Sequence, residues 1–420
     1  MKVLIKKATI IDPGSTHHLS QQDILIADGN IQNIQPDLTE EADTMIELPG
    51  LHVSPGWIDT FANFCDPGYE YKESLESGAN AAAAGGFSRV MVVPNTRPVI
   101  DNKAQVEYIV QKSRTLPVQI LPIGAITKNT EGKELAEMYD MQYSGAISFS
   151  DGLHPLQSAG IMVKALQYVK RFNGAIIQLP DDKSLSPHGL MNEGIVSTRL
   201  GLPGKPILAE ELVVARDIRL VAYTGSKLHF TAVTSSKSLQ YIREAREEGI
   251  QVSCSVAPYH LFFCDEDLMD YDTNLKVNPP LRTREEMMSL RKAVEDGLVD
   301  CIATHHAPHE YDSKIVEFEY AKNGMTGLET CYSILKTVLP MVPESKWVEL
   351  LYLNAANIFG LAQQNILVNA RANLTLFQPD STFTYNEKPI QSKSKNSPFI
   401  GKELKGRVAG IINGNNIRIH

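Results

Sequence analysis

Val118-Gln-Ile-Leu-Pro-Ile-Gly-Ala-Ile126, preceded by the amphipathic run 104–115 and followed by Gly145-Ala-Ile-Ser-Phe-Ser150, carries the pattern on which the fold turns. Short apolar runs of the same kind recur at Val90–Pro94, Gly174–Leu179, Lys227–Val233, Ile250–Val256 and Val299–Thr304. Between them lie stretches of helical period at 160–172, 210–224, 236–248 and 284–297. Strand-length apolar runs alternating with amphipathic helices predict parallel βαβ units. A series of about eight such units predicts a (β/α)₈ barrel. The other arrangement open to this pattern is a doubly wound sheet, but no Gly-rich dinucleotide fingerprint opens the series.

Outward from this central region the texture changes. Residues 1–51 read as β structure: Val3–Ile5, Thr9–Ile11, Ile24–Ile26 and Ile31–Ile34 alternate, broken by turn signals at Asp12-Pro13-Gly14 and Asp28-Gly29-Asn30. Alternation returns in Ala372–Phe377 and in the hairpin-like stretch 408–417. One small β domain assembled from segments 1–51 and 369–420 is therefore expected beside a barrel spanning 52–368. The polar stretch Ser381–Ser397 is expected to be a surface loop.

Charge and cysteine usage narrow the functional class. The net charge is −9 and no basic cluster occurs, which argues against nucleic acid as a partner because phosphate binding needs a localised cationic field. The five cysteines are scattered and odd in number, with no CxxC pair, as expected for reduced cytoplasmic thiols. The amino-terminal residues lack the apolar core of a signal peptide, and no run approaches the roughly 18 apolar residues of a membrane span. A cytoplasmic protein that does not enter the membrane is the expectation.

An ordered series of motifs adds a family to this reading. Pro55-Gly-Trp-Ile-Asp59, Asp66-Pro-Gly68, Lys72-Glu73, Ala81–Phe87 and Val93-Pro-Asn-Thr96 resemble the opening of the barrel in cyclic amidohydrolases. The similarity continues through Asn192-Glu-Gly194, Pro258–Leu261, Val277–Arg282, Ala307-Pro-His309, Gly324–Glu329, Asn354–Leu361 and Ser394–Phe399. Within that superfamily the chain most resembles dihydroorotase of the longer bacterial type, along essentially its whole length. The resemblance implies a barrel of the metal-dependent hydrolase type with a β-sandwich-like domain from both termini. It also implies a chemistry: reversible closure of carbamoyl-aspartate to dihydroorotate, with zinc polarising the ring carbonyl and an aspartate moving the proton.

The side chains for that chemistry are largely missing. The family's first strand ends in Asp-x-His-x-His, two ligands on one face; here it reads Asp59-Thr-Phe61-Ala-Asn63. Phenylalanine cannot ligate, and a neutral amide is a poor zinc ligand. The family's Asp-His-Cys-Glu appears as Gln178-Leu179-Pro180-Asp181, and its His-x-x-His as His229-Phe-Thr-Ala232. Its Thr-Asp-His-Ala-Pro-His is Thr304-His305-His306-Ala307-Pro308-His309, so His305 stands where the proton-transferring aspartate belongs. Cys65 occupies the position of the arginine that pairs the substrate carboxylate. Asp151 survives from a two-carboxylate loop, and Asn95, Asn278 and His309 match polar substrate contacts. Phe61, Asn63, Leu179, Ala232 and His305 thus lead to the expectation that no zinc or other cofactor binds.

Three functions fit these residues. The first is a catalytically inactive dihydroorotase-like protein acting as a structural or regulatory partner, with the family pointing to aspartate transcarbamoylase and to a homodimer. The second is an active dihydroorotase with a rearranged site, in which His305-His306-x-x-His309 with Asp151, His154 or Cys65 improvises a centre. The third is a sensor that retains a pocket for a small molecule related to dihydroorotate. His229 and His260, in apolar strand contexts, are read as structural histidines, and Cys65 as an inert thiol.

Overall fold

Eight strands follow one another in chain order round a single parallel sheet in the computed structural model, which describes all 420 residues. They are Trp57–Ala62 (β1), Phe87–Val92 (β2), Gln119–Gly124 (β3), Ser148–Phe149 (β4), Ala175–Gln178 (β5), Lys227–Phe230 (β6), Val252–Val256 (β7) and Cys301–Ile302 (β8). Ala62 bridges His306, just past β8, and the Asn63 N–H donates to the His306 carbonyl at 2.9 Å, so the ring closes. Asp59 locks the same seam. Its buried carboxylate accepts from the Thr304 backbone at 2.8 Å and from the Thr304 hydroxyl at 2.6 Å.

Helices separate the strands as the sequence pattern predicts, and their starting points are written in cap residues. Ser74, Asn102, Ser158, Ser235 and Thr283 each accept a hydrogen bond from a backbone N–H of the turn they open. Such a cap contributes about 1 kcal/mol and fixes where the strand-to-helix loop ends, hence the shape of the barrel's C-terminal face. The helix Leu75–Ala84 packs closely through small residues. A Cβ added at Gly78 would meet the Phe64 ring at 2.7 Å, so only glycine allows this approach.

Apolar burial divides into layers. A cluster of 65 buried residues fills the space between strands and helices, while nine others, including Phe61, Met91, Leu121, Ile177 and Phe359, fill the barrel interior. A further 17 form the core of a second, mixed sheet.

That second sheet takes strands from both ends of the chain. Its order is Asn416–Ile419, Glu403–Asn413, Asn373–Thr384, His52–Pro55, Lys2–Ile10, Gln21–Ala27 and Asn30–Gln35, with Thr44–Ile46 alongside Lys2–Ile10. His52–Pro55, just past residue 51, pairs parallel to Lys2–Ile10 and antiparallel to Asn373–Thr384, then passes through Gly56 into β1. Asp28 and Gly29 both have positive φ, 51° and 77°, in the tight turn between Gln21–Ala27 and Asn30–Gln35. The runs Val3–Ile5 and Thr9–Ile11 merge into one strand with an irregularity between Ile5 and Ala8.

The stretch Ser381–Ser397 departs from the surface loop expected of it. The strand Asn373–Thr384 runs into it, and Ser392, Ser394, Asn396 and Ser397 are buried. Their polarity satisfies buried acceptors: Ser392 donates to Glu73, Ser394 to the Lys72 carbonyl, and Asn396 to the Ala307 carbonyl. No helix is long and apolar enough to cross a membrane.

Candidate functional site at the barrel mouth

Strand alternation places Phe61 of β1 inside the barrel, against Met91, Val93 and Ile177. The imidazole of His305 stacks on its ring, with centroids 4.4 Å apart and planes 23° apart. His305 Nε2 shares a hydrogen bond with the Thr231 hydroxyl at 2.7 Å, and Thr231 accepts from Ser255 at 3.1 Å. The chain continues from Ser255 to His229 Nε2 at 3.0 Å and from His229 Nδ1 to Ser253 at 2.8 Å. Register explains it: His229 of β6 lies opposite Ser253 of β7, and residues two apart on each strand share a face. Burial pushes both His305 and His229 down to about 3, with His260 and His229 adding to the shift at His305 and Arg246 at His229. Both rings are neutral at pH 7.

The remaining positions at which zinc ligands were expected in the family are equally committed. The Asn63 side-chain oxygen accepts from the Cys65 backbone N–H at 3.0 Å. Leu179 and Ala232 are buried and offer only hydrocarbon. Cys65 is buried, and burial pushes its thiol up to about 12, in keeping with an inert residue. Cys65, Ala232 and His305 all hold positive φ, between 47° and 59°, at strand ends. Left-handed backbone at a non-glycine residue costs on the order of 1–3 kcal/mol, so the surrounding packing must hold these bends in place.

Both carboxylate oxygens of Asp151 are engaged. One oxygen accepts from the Thr127 N–H at 2.9 Å and the other from the Thr127 hydroxyl at 2.5 Å. This repeats, between neighbouring loops, the clamp that Asp59 makes on Thr304. Burial raises Asp59 to about 7 and Asp151 to about 6, against the hydrogen bonds that favour their ionised forms.

The three histidines 305, 306 and 309 diverge. His306 Nδ1 accepts from the Gly327 N–H at 3.2 Å, so its Nε2 carries the proton and faces Glu73 at 3.4 Å. Burial pushes the Glu73 carboxyl up, but the hydrogen bond from His306, with hydroxyls from Ser392 and Ser77, more than offsets it and leaves it below its ordinary range. His309 Nε2 donates to the Asn323 carbonyl at 2.9 Å, while its Nδ1 is buried with no partner. His260 lies on the short helix Pro258–Phe262, not on a strand, and bonds the Pro279 carbonyl at 3.0 Å. No group of three or more His, Cys, Asp or Glu side chains is placed to hold a metal ion.

Above this plugged interior a cavity of about 540 Å³ opens at the C-terminal face, where (β/α)₈ barrels bind ligands. Asn95, Asn278 and His309 all line it, as do His305, His154 and Cys65. Asn95 bridges the loop after β4, donating to the Asp151 carbonyl at 3.1 Å and accepting from the Leu153 N–H at 2.8 Å. Asn278 accepts from Lys205 at 2.8 Å, and Lys205 pairs Asp181 at the same distance. Lys72 and Lys322 also line the cavity, and no aspartate or glutamate does. Sequence reasoning quoted Lys72 only as part of a motif and did not single out Lys322 or the Thr231–Ser255–His229 chain. Pairing the 227–233 run with the 250–256 run in parallel register would have exposed the latter.

Comparison with known proteins agrees with the fold and names a family. A model described as dihydro-orotase-like matches residues 50–238. A dihydroorotase of Syntrophus aciditrophicus is 39% identical over 413 residues, covering 97% of each chain. One of Geobacter metallireducens is 40% identical over 426 residues, covering 99% of each. Among solved structures, L-hydantoinase (dihydropyrimidinase) from Arthrobacter aurescens superposes with a TM-score of 0.84 at 22% identity, covering 99% of this chain and 95% of its own. A D-hydantoinase gives 0.85 at 20% identity, covering 100% and 95%. The solved structures speak to the fold; the full-length identity to the first two proteins is what establishes that this chain belongs to the dihydroorotase family.

Proposed function

We propose that this chain is a dihydroorotase-family protein of pyrimidine biosynthesis that does not itself open or close the dihydroorotate ring. The observation that carries the reading is the His305–Phe61 stack. Zinc in a catalytic site is held by three well-oriented N, S or O donors. The corresponding positions here supply a phenyl ring, an amide engaged with Cys65, two hydrocarbon side chains and an imidazole engaged with Thr231. That donor set does not suit zinc. Proton transfer fares no better: a buried imidazole held near 3 is a far weaker base than a reaction at neutral pH calls for.

The cavity above the plug supports a binding role. Its two lysines and its neutral amides and imidazoles suit a carboxylate-bearing molecule related to dihydroorotate. The family resemblance supplies the other part of the proposal, a cytoplasmic homodimer that assembles with aspartate transcarbamoylase. Copurification from the native cell at mild salt tests the partner, and its absence from the purified complex would rule that partner out. Calorimetric titration with dihydroorotate, orotate and carbamoyl-aspartate tests the ligand; three flat traces would dispose of it.

A second reading, an active dihydroorotase with a rearranged site, is favoured by one specific observation. Relatives that carry that name are 39–40% identical over nearly the whole chain. It requires His305 and Asp151 to release Thr231 and Thr127. Dihydroorotate turnover that disappears on substituting either residue would establish it.

A further inference from the structure

At the opposite end of the barrel, a cavity of about 570 Å³ lies between the entry ends of β2, β3 and β4 and the sheet built from the two termini. Three arginines line it: Arg89 on β2, Arg114 after the helix Lys103–Ser113, and Arg371 before the strand Asn373–Thr384. No aspartate or glutamate contributes to its wall. The arginine ion pairs of the chain lie elsewhere, at Arg216, Arg246, Arg282 and Arg284.

Arg89 is the informative member. It is only 5% exposed, and a guanidinium keeps its charge in a protein interior. Nη1 donates to the Ala362 carbonyl at 3.0 Å, but Nε and Nη2 are buried with no hydrogen-bond partner. The Tyr352 ring lies 5.6 Å from the guanidinium carbon, and its hydroxyl, which donates to the Gln364 carbonyl, partly compensates the Arg89 charge without supplying a carboxylate. A buried charge with neither counter-ion nor full hydrogen bonding is costly, and such a group persists where a ligand completes it. Asn373 Oδ1, in the same wall, is also buried without a partner and, as an acceptor, suits a hydroxyl of the ligand and not its phosphate.

We infer that this cleft binds a small phosphate-bearing anion, with the arginines on the phosphate and the amides of Gln119, Asn413 and Asn416 on its polar remainder. Planar guanidinium forks match phosphate oxygens two at a time, and three uncompensated cations favour a group that concentrates more than one negative charge. The volume falls in the range of small-molecule sites, roughly 300–1,000 Å³. Leu116, Ile120 and Leu361 add an apolar wall. The site is independent of the barrel mouth and of whether the mouth performs chemistry.

The test is calorimetry on the full-length protein with inorganic pyrophosphate and glycerol 3-phosphate, with succinate at matched ionic strength. Saturable binding of the two phosphates and a flat succinate trace are expected. Arg371→Gln and Arg114→Gln alter exposed side chains and should each weaken pyrophosphate by about tenfold with the melting temperature unchanged. Arg89→Met should abolish binding without lowering the melting temperature, since it removes an uncompensated charge. No saturable phosphate binding, or succinate binding as tightly, would overturn the inference. So would binding that survives Arg371→Gln and disappears in Lys72→Met, which would place the anion at the mouth.

Discussion

The imidazole of His305 lies face to face with the phenyl ring of Phe61, its Nε2 turned away to the hydroxyl of Thr231. By the motif resemblance, one of these residues is expected at a metal-ligand position and the other at the position of the proton-transferring aspartate. Together they fill the barrel floor with a packed, hydrogen-bonded pair. The consequences can be measured residue by residue.

Restoring the family's aspartate alone should fail. In His305→Asp a carboxylate faces the Phe61 ring with no metal or cation beside it. An uncompensated buried charge of this kind costs about 3–5 kcal/mol. Denaturant unfolding should show that loss, and dihydroorotate turnover should stay at the buffer rate.

Truncating the other half of the pair should cost as much for a different reason. Phe61→Ala leaves a cavity inside a close-packed barrel, a change worth about 3–5 kcal/mol. Phe61→Leu, which keeps most of the volume, should recover most of the stability, whereas equal losses in both variants would mean that packing is not what Phe61 contributes.

The neutral state of His305 has a signature in pH. Its folded value, about 3, lies below the ordinary histidine value of 6.5, so between those limits the unfolded chain binds the extra proton. Its contribution is therefore complete above about pH 6.5 and is lost as pH falls towards 3. Asp59, raised to about 7, acts in the opposite sense, its folded form taking up a proton first and gaining stability as pH falls from 7 towards 4. Because the two trends overlap, the difference between variants is the useful quantity. Removing the histidine in His305→Gln should flatten the acid-side stability slope by about 1.4 kcal/mol per pH unit relative to the parent. An identical slope in both proteins would show that His305 titrates freely when folded.

Much of this was legible in the sequence. Helical and strand periods alternate along the chain, and serine, threonine and asparagine caps mark the helix starts, so the barrel follows from local chemistry. The identities of Phe61, Leu179, Ala232 and His305 are also visible, because they stand in recognisable motifs. What occupies the space is not. The His305–Phe61 stack depends on side-chain direction across the barrel seam, and the His229–Ser255–Thr231 chain on the register of two strands. The segment 381–397 misled because polarity was taken for exposure, whereas Ser392 and Asn396 are polar in order to satisfy buried groups such as Glu73 and the Ala307 carbonyl. Arg89 was silent too, since nothing in its neighbours along the chain reveals that it is buried without a counter-ion.

The mouth cavity makes a separate prediction about ligands. If Lys72 and Lys322 receive a carboxylate, orotate should bind with chelator present, and Lys72→Met should weaken it by about tenfold. Calorimetry checks this. Binding that requires added zinc would point to the rearranged-site reading.

The most direct test of the central claim is metal content and turnover measured on one preparation, expressed in zinc-supplemented medium and purified without chelator. The proposal predicts zinc far below one ion per chain by elemental analysis and no dihydroorotate hydrolysis above buffer. One or more tightly held zinc ions per chain, with turnover abolished by His305→Gln or Asp151→Asn, would contradict it.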